Sequence, residues 1–157
     1  MYGTSLPPLR LRRRTASDDR FIAEIAQRSF SEYSRRAELN TLRMARAGST
    51  WVACREQQVL GFAVVSGAGP ESAELSAIAV AEQARGQGVG AALLAGVERA
   101  LRDEGVRELS LHTAQANASA MDLFLKHGYR VERRLPRFYR GVFDACTMRK
   151  QLGSARH

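Results

Sequence analysis

A glycine-rich segment at residues 83–91 constrains the fold more than any other part of this 157-residue sequence. An apolar run typical of a strand, Leu75–Val80, precedes it. Apolar residues recur at helical spacing after it, at Val89, Leu93, Val97 and Leu101. Glycines allow successive backbone N–H groups to converge, and the first turn of a helix adds N–H donors without intrahelical partners. The segment therefore predicts a strand, a tight turn and a helix that together bind a phosphate or pyrophosphate.

Two common kinds of phosphate-binding loop do not fit this segment. A nucleotide-binding P-loop requires a Lys directly after its last glycine, and none follows here. A dinucleotide-binding loop matches Gly86-x-Gly88-x-x-Ala91, but residues 81–85 separate these glycines from the preceding strand. The next predicted strand, which ends near Thr113, also lacks the terminal acid that would bind a ribose.

A third pattern, Gln/Arg-x-x-Gly-x-Gly/Ala, is filled by Arg85, Gly88 and Gly90. It resembles the coenzyme-A loop of the GNAT superfamily of N-acetyltransferases. Residues 117–129 are similar to the family's Asn-x-x-Ala-x-x-Leu-Tyr-x-x-x-Gly-Phe helix. Residues 138–148 contain Phe-Tyr followed by Asp-Ala-x-x-Met. This ending loosely resembles the branch that acetylates protein N-termini, including the ribosomal-protein-alanine N-acetyltransferases.

The periodicity and the turn residues predict the element order β-α-α-β-β-β-α-β-α-β-β. The predicted strands are 9–14, 51–54, 59–66, 74–80, 107–113, 129–135 and 143–151, with a loop at 67–70. The predicted helices begin near Ser17 and Arg35, after Gly88 and at Ala118. The resemblance covers about residues 74–150 and implies the GNAT fold, an α/β (α+β) domain. In that fold, helices flank a mixed, mostly antiparallel sheet whose central parallel strands splay apart. We expect a single domain over residues 1–157, with its core at about 9–152.

Composition predicts a globular protein, because 45% of the residues are hydrophobic. Cys54 and Cys146 show no metal-ligand or paired spacing, so we expect no metal site and a reducing, cytoplasmic location. No apolar run reaches the length of a membrane span, so no membrane partner is expected.

The formal net charge of +8 comes almost entirely from arginine. We interpret the preference for Arg over Lys as coding bias. The basic residues do not indicate a nucleic-acid-binding surface, since they lack a known binding motif. One run, residues 10–14, alternates with leucines as an exposed strand face would. A second group, at residues 130–140, flanks Tyr139. Both groups could attract anions, coenzyme A included.

The resemblance implies acetyl-CoA as the cofactor and assigns its contacts. The backbone of the loop is expected to hold the pyrophosphate, through Arg85, Gly86, Gln87, Gly88, Val89, Gly90 and Ala91. The strand before the loop is expected to pair with the pantetheine arm, through Ile78, Ala79 and Val80. The amide of Val80 is the candidate donor to the thioester oxygen. The helix after the next strand is expected to contact the cofactor through Asn117, Ser119 and Phe124.

Acetyl transfer requires a neutral amine, stabilisation of negative charge on the carbonyl oxygen, and a proton for the leaving sulfur. Related branches carry a Tyr as proton donor where this chain has Phe124, which has no hydroxyl. Tyr139 is therefore the candidate acid. Glu74 and His112 are alternative candidate bases, and a water relay is a third possibility.

The resemblance implies an N-acetyltransferase that works by direct attack in a ternary complex. The acceptor is an amine of a protein N-terminus, a Lys or a small molecule, and a homodimer is possible. The alternative function is a non-catalytic acyl-CoA-binding module, suggested by the missing hydroxyl at residue 124. A nucleic-acid partner for the arginines is a third hypothesis, and it predicts strongly salt-dependent binding. In this family, residues 18–47 and 133–143 would select the acceptor.

Overall fold

The computed structural model describes residues 7–153, which form a seven-stranded sheet and four α-helices. The strands are β1 (Leu9–Arg13), β2 (Ser49–Arg55), β3 (Gln58–Gly69), β4 (Ser72–Val80), β5 (Glu108–Ala114), β6 (Arg130–Tyr139) and β7 (Phe143–Gln151). The helices are α1 (Asp19–Phe30), α2 (Ala37–Ala47), α3 (Val89–Asp103) and α4 (Ala118–Lys126). The sheet order is β1-β2-β3-β4-β5-β7-β6, with only β4 and β5 parallel among these pairs.

A buried carboxylate fixes the start of α1 against β1. Arg12 of β1 donates two hydrogen bonds to Asp18, at 2.8 and 2.9 Å, and the backbone N–H of Thr15 donates a third, at 2.7 Å. These bonds, those from Arg12 above all, hold the pKa of Asp18 below its usual range. The helix that follows buries Ile22, Ile25 and Ala26 in the core. Helix α1 therefore starts where it was predicted, near residues 17–19.

Helix α3 packs across β1–β4, and this contact positions its N-terminus. Leu93, Leu94 and Val97 are fully buried on its inner face. A side chain at Gly96 would collide with Leu11 of β1, so the small residue permits the close approach. The N-terminus of α3 consequently lies just beyond the end of β4, as the glycine-rich segment predicts.

The parallel strands β4 and β5 separate halfway along their length. They pair from Ser72–Glu108 to Leu75–Leu111, and no pairing continues beyond that point in the described sheet. On its other side, β4 contains a one-residue bulge, because Val64 pairs with Ala77 while Val65 pairs with Leu75. The bulge leaves Ser76 without an opposite residue and increases the local twist. The splay that the resemblance implies for the central parallel strands is confirmed, and it begins only after residue 111 of β5.

The structure corrects three boundaries. Strand β3 continues to Gly69, so the predicted loop at 67–70 is wrong and the turn lies at Pro70 and Glu71 instead. Helix α2 begins at Ala37 because Arg36 adopts a left-handed conformation, with φ of 54°. Tyr139, expected in a loop before the last strand, ends β6 and pairs with Phe143.

Candidate active site

A cavity of about 220 Å³ opens where β4 and β5 separate. Helices α1 and α2 and the segment between them form one wall, and β4, β5 and α4 form the other. Its lining residues are Phe30, Tyr33, Ser34, Ala37, Asn40, Thr41, Met44, Leu75, Ser76, Ala77, Ile78, Leu111, His112, Thr113, Ala114, Asn117, Ala120, Phe124 and Tyr139. Most of these are apolar, as is usual for a pocket in which a few polar groups orient a ligand.

The glycine-rich loop has a backbone suited to an anion. Gly86 and Gly88 have φ of 77° and 79°, a region that side chains rarely adopt, and no atom lies within 4 Å of a Cβ placed on either. The carbonyl of Gly88 accepts the hydrogen bond from Ala92, so the N–H groups between them precede the helical ladder. The first turn of α3 also contains no acidic residue. The arrangement fits a bound phosphate.

Gly90 differs from the other two loop glycines. It lies within α3, where a Cβ would lie 3.4 Å from Leu123 and 3.6 Å from Val80, which are ordinary packing distances. The protein itself therefore does not require glycine at this position. Arg55 of β2, which sequence reasoning missed, donates a 2.7 Å hydrogen bond to the side chain of Gln87 and places a cation beside the loop.

Beyond Leu75, β4 has a hydrogen-bonded neighbour only on its β3 side among the described strands, where Ala79 pairs with Phe62 and Val80 with Gly61. The other edge of Ile78–Val80 is unpaired in the described sheet; Ile78 lines the cavity, whereas Val80 lines a smaller pocket that also contains Arg85. An open strand edge offers backbone N–H and C=O groups to an extended ligand. These residues consequently fit a linear amide-bearing chain such as pantetheine.

Glu74 and His112 lie side by side, and His112 lines the cavity. His112 Nδ1 is 3.2 Å from Glu74 Oε1, and the two side chains are 37% and 39% exposed respectively. The His112 ring stacks on Phe138 with 5.3 Å between ring centroids. The residues that sequence reasoning treated as alternative bases therefore form one hydrogen-bonded pair.

Tyr139 lines the same cavity as His112. Its ring packs against Tyr33 at 5.8 Å, and burial together with nearby Glu74 and Tyr33 raises the pKa of Tyr139 to about 12. Tyr139 therefore stays protonated at neutral pH and is a hydrogen-bond donor there. The structure ends α1 at Phe30 and turns Tyr33 into the cavity wall.

The three predicted contacts on α4 differ in position. Asn117 Oδ1 accepts a 3.2 Å hydrogen bond from the backbone of Ala120, and the residue both caps the helix and lines the cavity. Phe124 is 3% exposed and also lines the cavity, supported by an edge-on contact with Tyr129. Ser119 is exposed and does not line the cavity.

Over residues 7–153, no cluster of three or more His, Cys, Asp or Glu side chains is placed to hold a metal ion. Within the same range, every helix is too short or too polar to cross a membrane.

Similar proteins share both the sequence pattern and the fold. The family model "Acetyltransferase (GNAT) family" matches residues 20–129. N-acetyltransferase 8F1 of Rattus norvegicus is 33% identical over 102 residues, which are 60% of this chain and 46% of that protein. The chain thus spans about half the length of this curated relative.

Solved structures match nearly the whole chain. Ard1 from Thermoplasma volcanium is 27% identical, with a TM-score of 0.84 over 94% of this chain and 99% of its own. The putative acetyltransferase yncA from Salmonella typhimurium, solved with its cofactor acetyl-CoA, is 20% identical, with a TM-score of 0.79 over 95% of this chain and 96% of its own. With a family model matched across most of the sequence, this protein belongs to the GNAT family of acetyltransferases.

Proposed function

We propose that this chain is an acetyl-CoA-dependent N-acetyltransferase that acts by direct attack of an amine in a ternary complex. The observation that carries the proposal is the gap that opens where β4 and β5 separate. The left-handed glycine turn before α3 lies on one side of this gap, and the side chains of His112, Glu74 and Tyr139 lie on the other. Family membership and the acetyl-CoA bound to the Salmonella relative support the choice of donor.

The donor would be held by backbone groups. Residues 85–91 would bind the pyrophosphate, and the open edge of Ile78–Val80 would pair with the pantetheine arm. Asn117 and Phe124 would contact the same arm from α4. Acetyl-CoA supplies a thioester, an acyl group activated for attack by an amine. The N–H of Val80 would stabilise negative charge on the acyl oxygen.

The Glu74–His112 pair would prepare the acceptor. An alkylammonium has no lone pair, and lysine-like amines titrate near pH 10.4 in water, so a base is needed at neutral pH. With Glu74 accepting a hydrogen bond from Nδ1–H, Nε2 of His112 carries the lone pair and can take the amine proton. Glu74 then also stabilises the imidazolium that forms. In this proposal His112 is the base and Glu74 is the carboxylate that positions it.

Tyr139 would donate to the leaving sulfur, because Phe124 has no hydroxyl to offer. Its raised pKa makes it a weaker acid than a tyrosine in water, so a hydrogen bond to the sulfur is favoured over early proton transfer. A chain that bound acetyl-CoA but used neither the Glu74–His112 pair nor Tyr139 for catalysis would be the alternative acyl-CoA-binding module.

The first test is calorimetric titration with acetyl-CoA, with NAD as the control, followed by thiol release with a panel of peptide and small-molecule amines. We expect binding of acetyl-CoA alone and turnover with at least one amine. Binding of acetyl-CoA without turnover on any amine would favour the binding module. Failure to bind acetyl-CoA would refute the assignment of the loop.

Gly88→Glu tests the loop directly, with Gly105→Glu as its matched control. Gly105, at the far end of α3, has φ of 89° and equally open space around its Cβ, so backbone strain and added charge are comparable. Like charges about 4 Å apart repel by about 1–4 kcal/mol at effective dielectrics between water and a protein surface. We therefore expect Gly88→Glu to weaken acetyl-CoA binding by about tenfold or more, while Gly105→Glu leaves it unchanged. Equal effects of the two variants would contradict the proposal.

We also infer that the core at about residues 9–152 is one domain, since the described strands run from Leu9 to Gln151 within a single sheet. A cytoplasmic location and a homodimer stay predictions. Size-exclusion chromatography with light scattering tests whether the protein is a homodimer.

A further inference from the structure

The mouth of the cavity carries positive charge that its walls lack. No lining residue in the described part of the chain is Lys or Arg. Two segments border the mouth, the connection from α1 to α2 and the hairpin of β6 and β7, and both also supply lining residues. Four exposed arginines of these two segments are here called the rim arginines: Arg36, Arg133, Arg137 and Arg140.

Sheet register places Arg133 on the face that carries His112. Arg133 pairs with Thr147 of β7, and Thr147 pairs with His112 of β5. Directly opposed residues of neighbouring strands point to the same face, and strands lie about 4.8 Å apart. Arg133 is therefore about two strand spacings from the candidate base, on its side of the sheet.

The other three rim arginines occupy positions at which the backbone favours glycine. Arg36, Arg137 and Arg140 have φ of 54°, 52° and 56°. A residue with a side chain adopts a left-handed conformation less readily than glycine does. Arg140 has a structural role, since it donates to the carbonyl of Glu32 and ties the hairpin to the end of α1. No comparable side-chain hydrogen bond is formed by Arg36 or Arg137 within residues 7–153.

Nearby acids compensate this charge only in part. Asp144 accepts hydrogen bonds from the backbone of Arg137 and from the Arg134 side chain, and the charges of both arginines also lower the pKa of Asp144, so its carboxylate is shared between them. Glu32 and Glu38 lie on the α1–α2 side in sequence, next to Arg35 and Arg36. Among the described residues the Arg133 side chain forms no ion pair, and Arg137 shares Asp144 with Arg134, so both guanidinium groups can still bind an anion.

We propose that the acceptor is the N-terminus of an acidic peptide, with an uncharged first residue in the cavity and carboxylates at the following positions against the rim arginines. This rests on the proposed acetyltransferase function. The absence of cations from the described walls argues against a free amino acid, whose carboxylate lies two bonds from the amine and would be buried without a partner. Complementary charge at the rim would mainly increase the rate and the specificity of encounter.

The test compares three octapeptides that share an N-terminal Ser and carry acidic, neutral amide or basic residues at positions two to four. Thiol release gives kcat/KM for each, and fluorescence anisotropy of labelled peptides with the CoA-bound protein gives their affinity independently of turnover. The variant Arg36→Gln/Arg137→Gln keeps two long side chains at left-handed positions, so the strain is unchanged while the charge is removed. Arg10→Gln/Arg99→Gln, at exposed positions on β1 and α3, is the control for net charge.

We expect the acidic peptide to exceed the neutral one by about tenfold in kcat/KM, since exposed charge pairs contribute about two- to fivefold each. The rim variant should lose most of that preference with the neutral peptide unaffected, and 0.5 M NaCl should weaken it in the wild type. Equal affinity for acidic and basic peptides would overturn the proposal, even if acetyl-CoA turnover confirms the enzyme. Tighter binding of a single-stranded oligonucleotide, lost in the rim variant alone, would assign the arginines to nucleic acid and also overturn it.

Discussion

The Glu74–His112 pair makes the sharpest prediction about catalysis. The change is His112→Gln, which keeps a polar side chain of similar reach but cannot accept a proton at neutral pH. A positioned general base accelerates proton transfer by about 10²–10⁴-fold, so we expect kcat/KM to fall by that factor. This corresponds to about 3–5 kcal/mol of activation free energy.

The effect on folding should be far smaller. The two side chains are 37% and 39% exposed, and interactions between such groups contribute about 0–1 kcal/mol to the free energy of unfolding. A melting curve should therefore separate a chemical defect from a structural one. Loss of activity accompanied by a large fall in Tm would contradict this reasoning.

A double-mutant cycle with Glu74→Gln tests whether the pair acts as a unit. An amide at residue 74 still accepts from Nδ1–H but no longer stabilises the imidazolium, so we expect a loss of about 10–100-fold, less than for His112→Gln. The double variant should be no worse than His112→Gln alone, because Glu74 acts through the histidine. Thiol release under saturating acetyl-CoA measures all four proteins. Multiplicative losses, or more than a third of wild-type activity in His112→Gln, would refute the assignment.

Two further variants probe separate parts of the molecule. Tyr139→Phe keeps the ring packing against Tyr33 but removes the hydroxyl. This variant should lower kcat by about 10–100-fold with little change in acetyl-CoA affinity. An unchanged kcat would exclude Tyr139 as the donor. Asp18→Asn should lower the free energy of unfolding by about 1–3 kcal/mol at pH 7. Because the folded pKa of Asp18 is depressed, its stabilisation exists above pH 4 and is lost as pH falls through the folded value, so urea melts should show the deficit shrinking at pH 3.

Local signals predicted the elements well because they act within one segment. The helix after Gly88 follows from the spacing of its apolar residues, and the turn before it follows from glycines that adopt positive φ. The bulge at Ser76 left no such signal. Burial still alternates along all of β4, and the irregularity appears only in how many residues of β4 oppose those of β3.

The pairing of Glu74 with His112 was equally invisible in the sequence. In the parallel register Glu74 lies opposite Ser110, so His112 is its diagonal neighbour on the same face. Register between parallel strands depends on the crossover through α3 and on packing across the sheet. Sequence reasoning could name both residues as bases, but only the register shows that their side chains lie within hydrogen-bonding distance of each other.

The backbone conformation of the rim arginines adds information that the amino-acid composition does not contain. Coding bias explains why a basic residue is Arg and not Lys, and that interpretation covers most of the arginines here. It does not explain a long side chain at a position with φ of 52° or 54°, where glycine or asparagine is less strained. Arg140 offsets its strain with a hydrogen bond to Glu32, whereas Arg36 and Arg137 form no comparable bond among the described residues. Glu56 and Glu71 adopt the same region at hairpin turns, so positive φ also occurs away from the cavity. What distinguishes Arg36 and Arg137 is their position in segments beside a cavity whose described walls carry no cation.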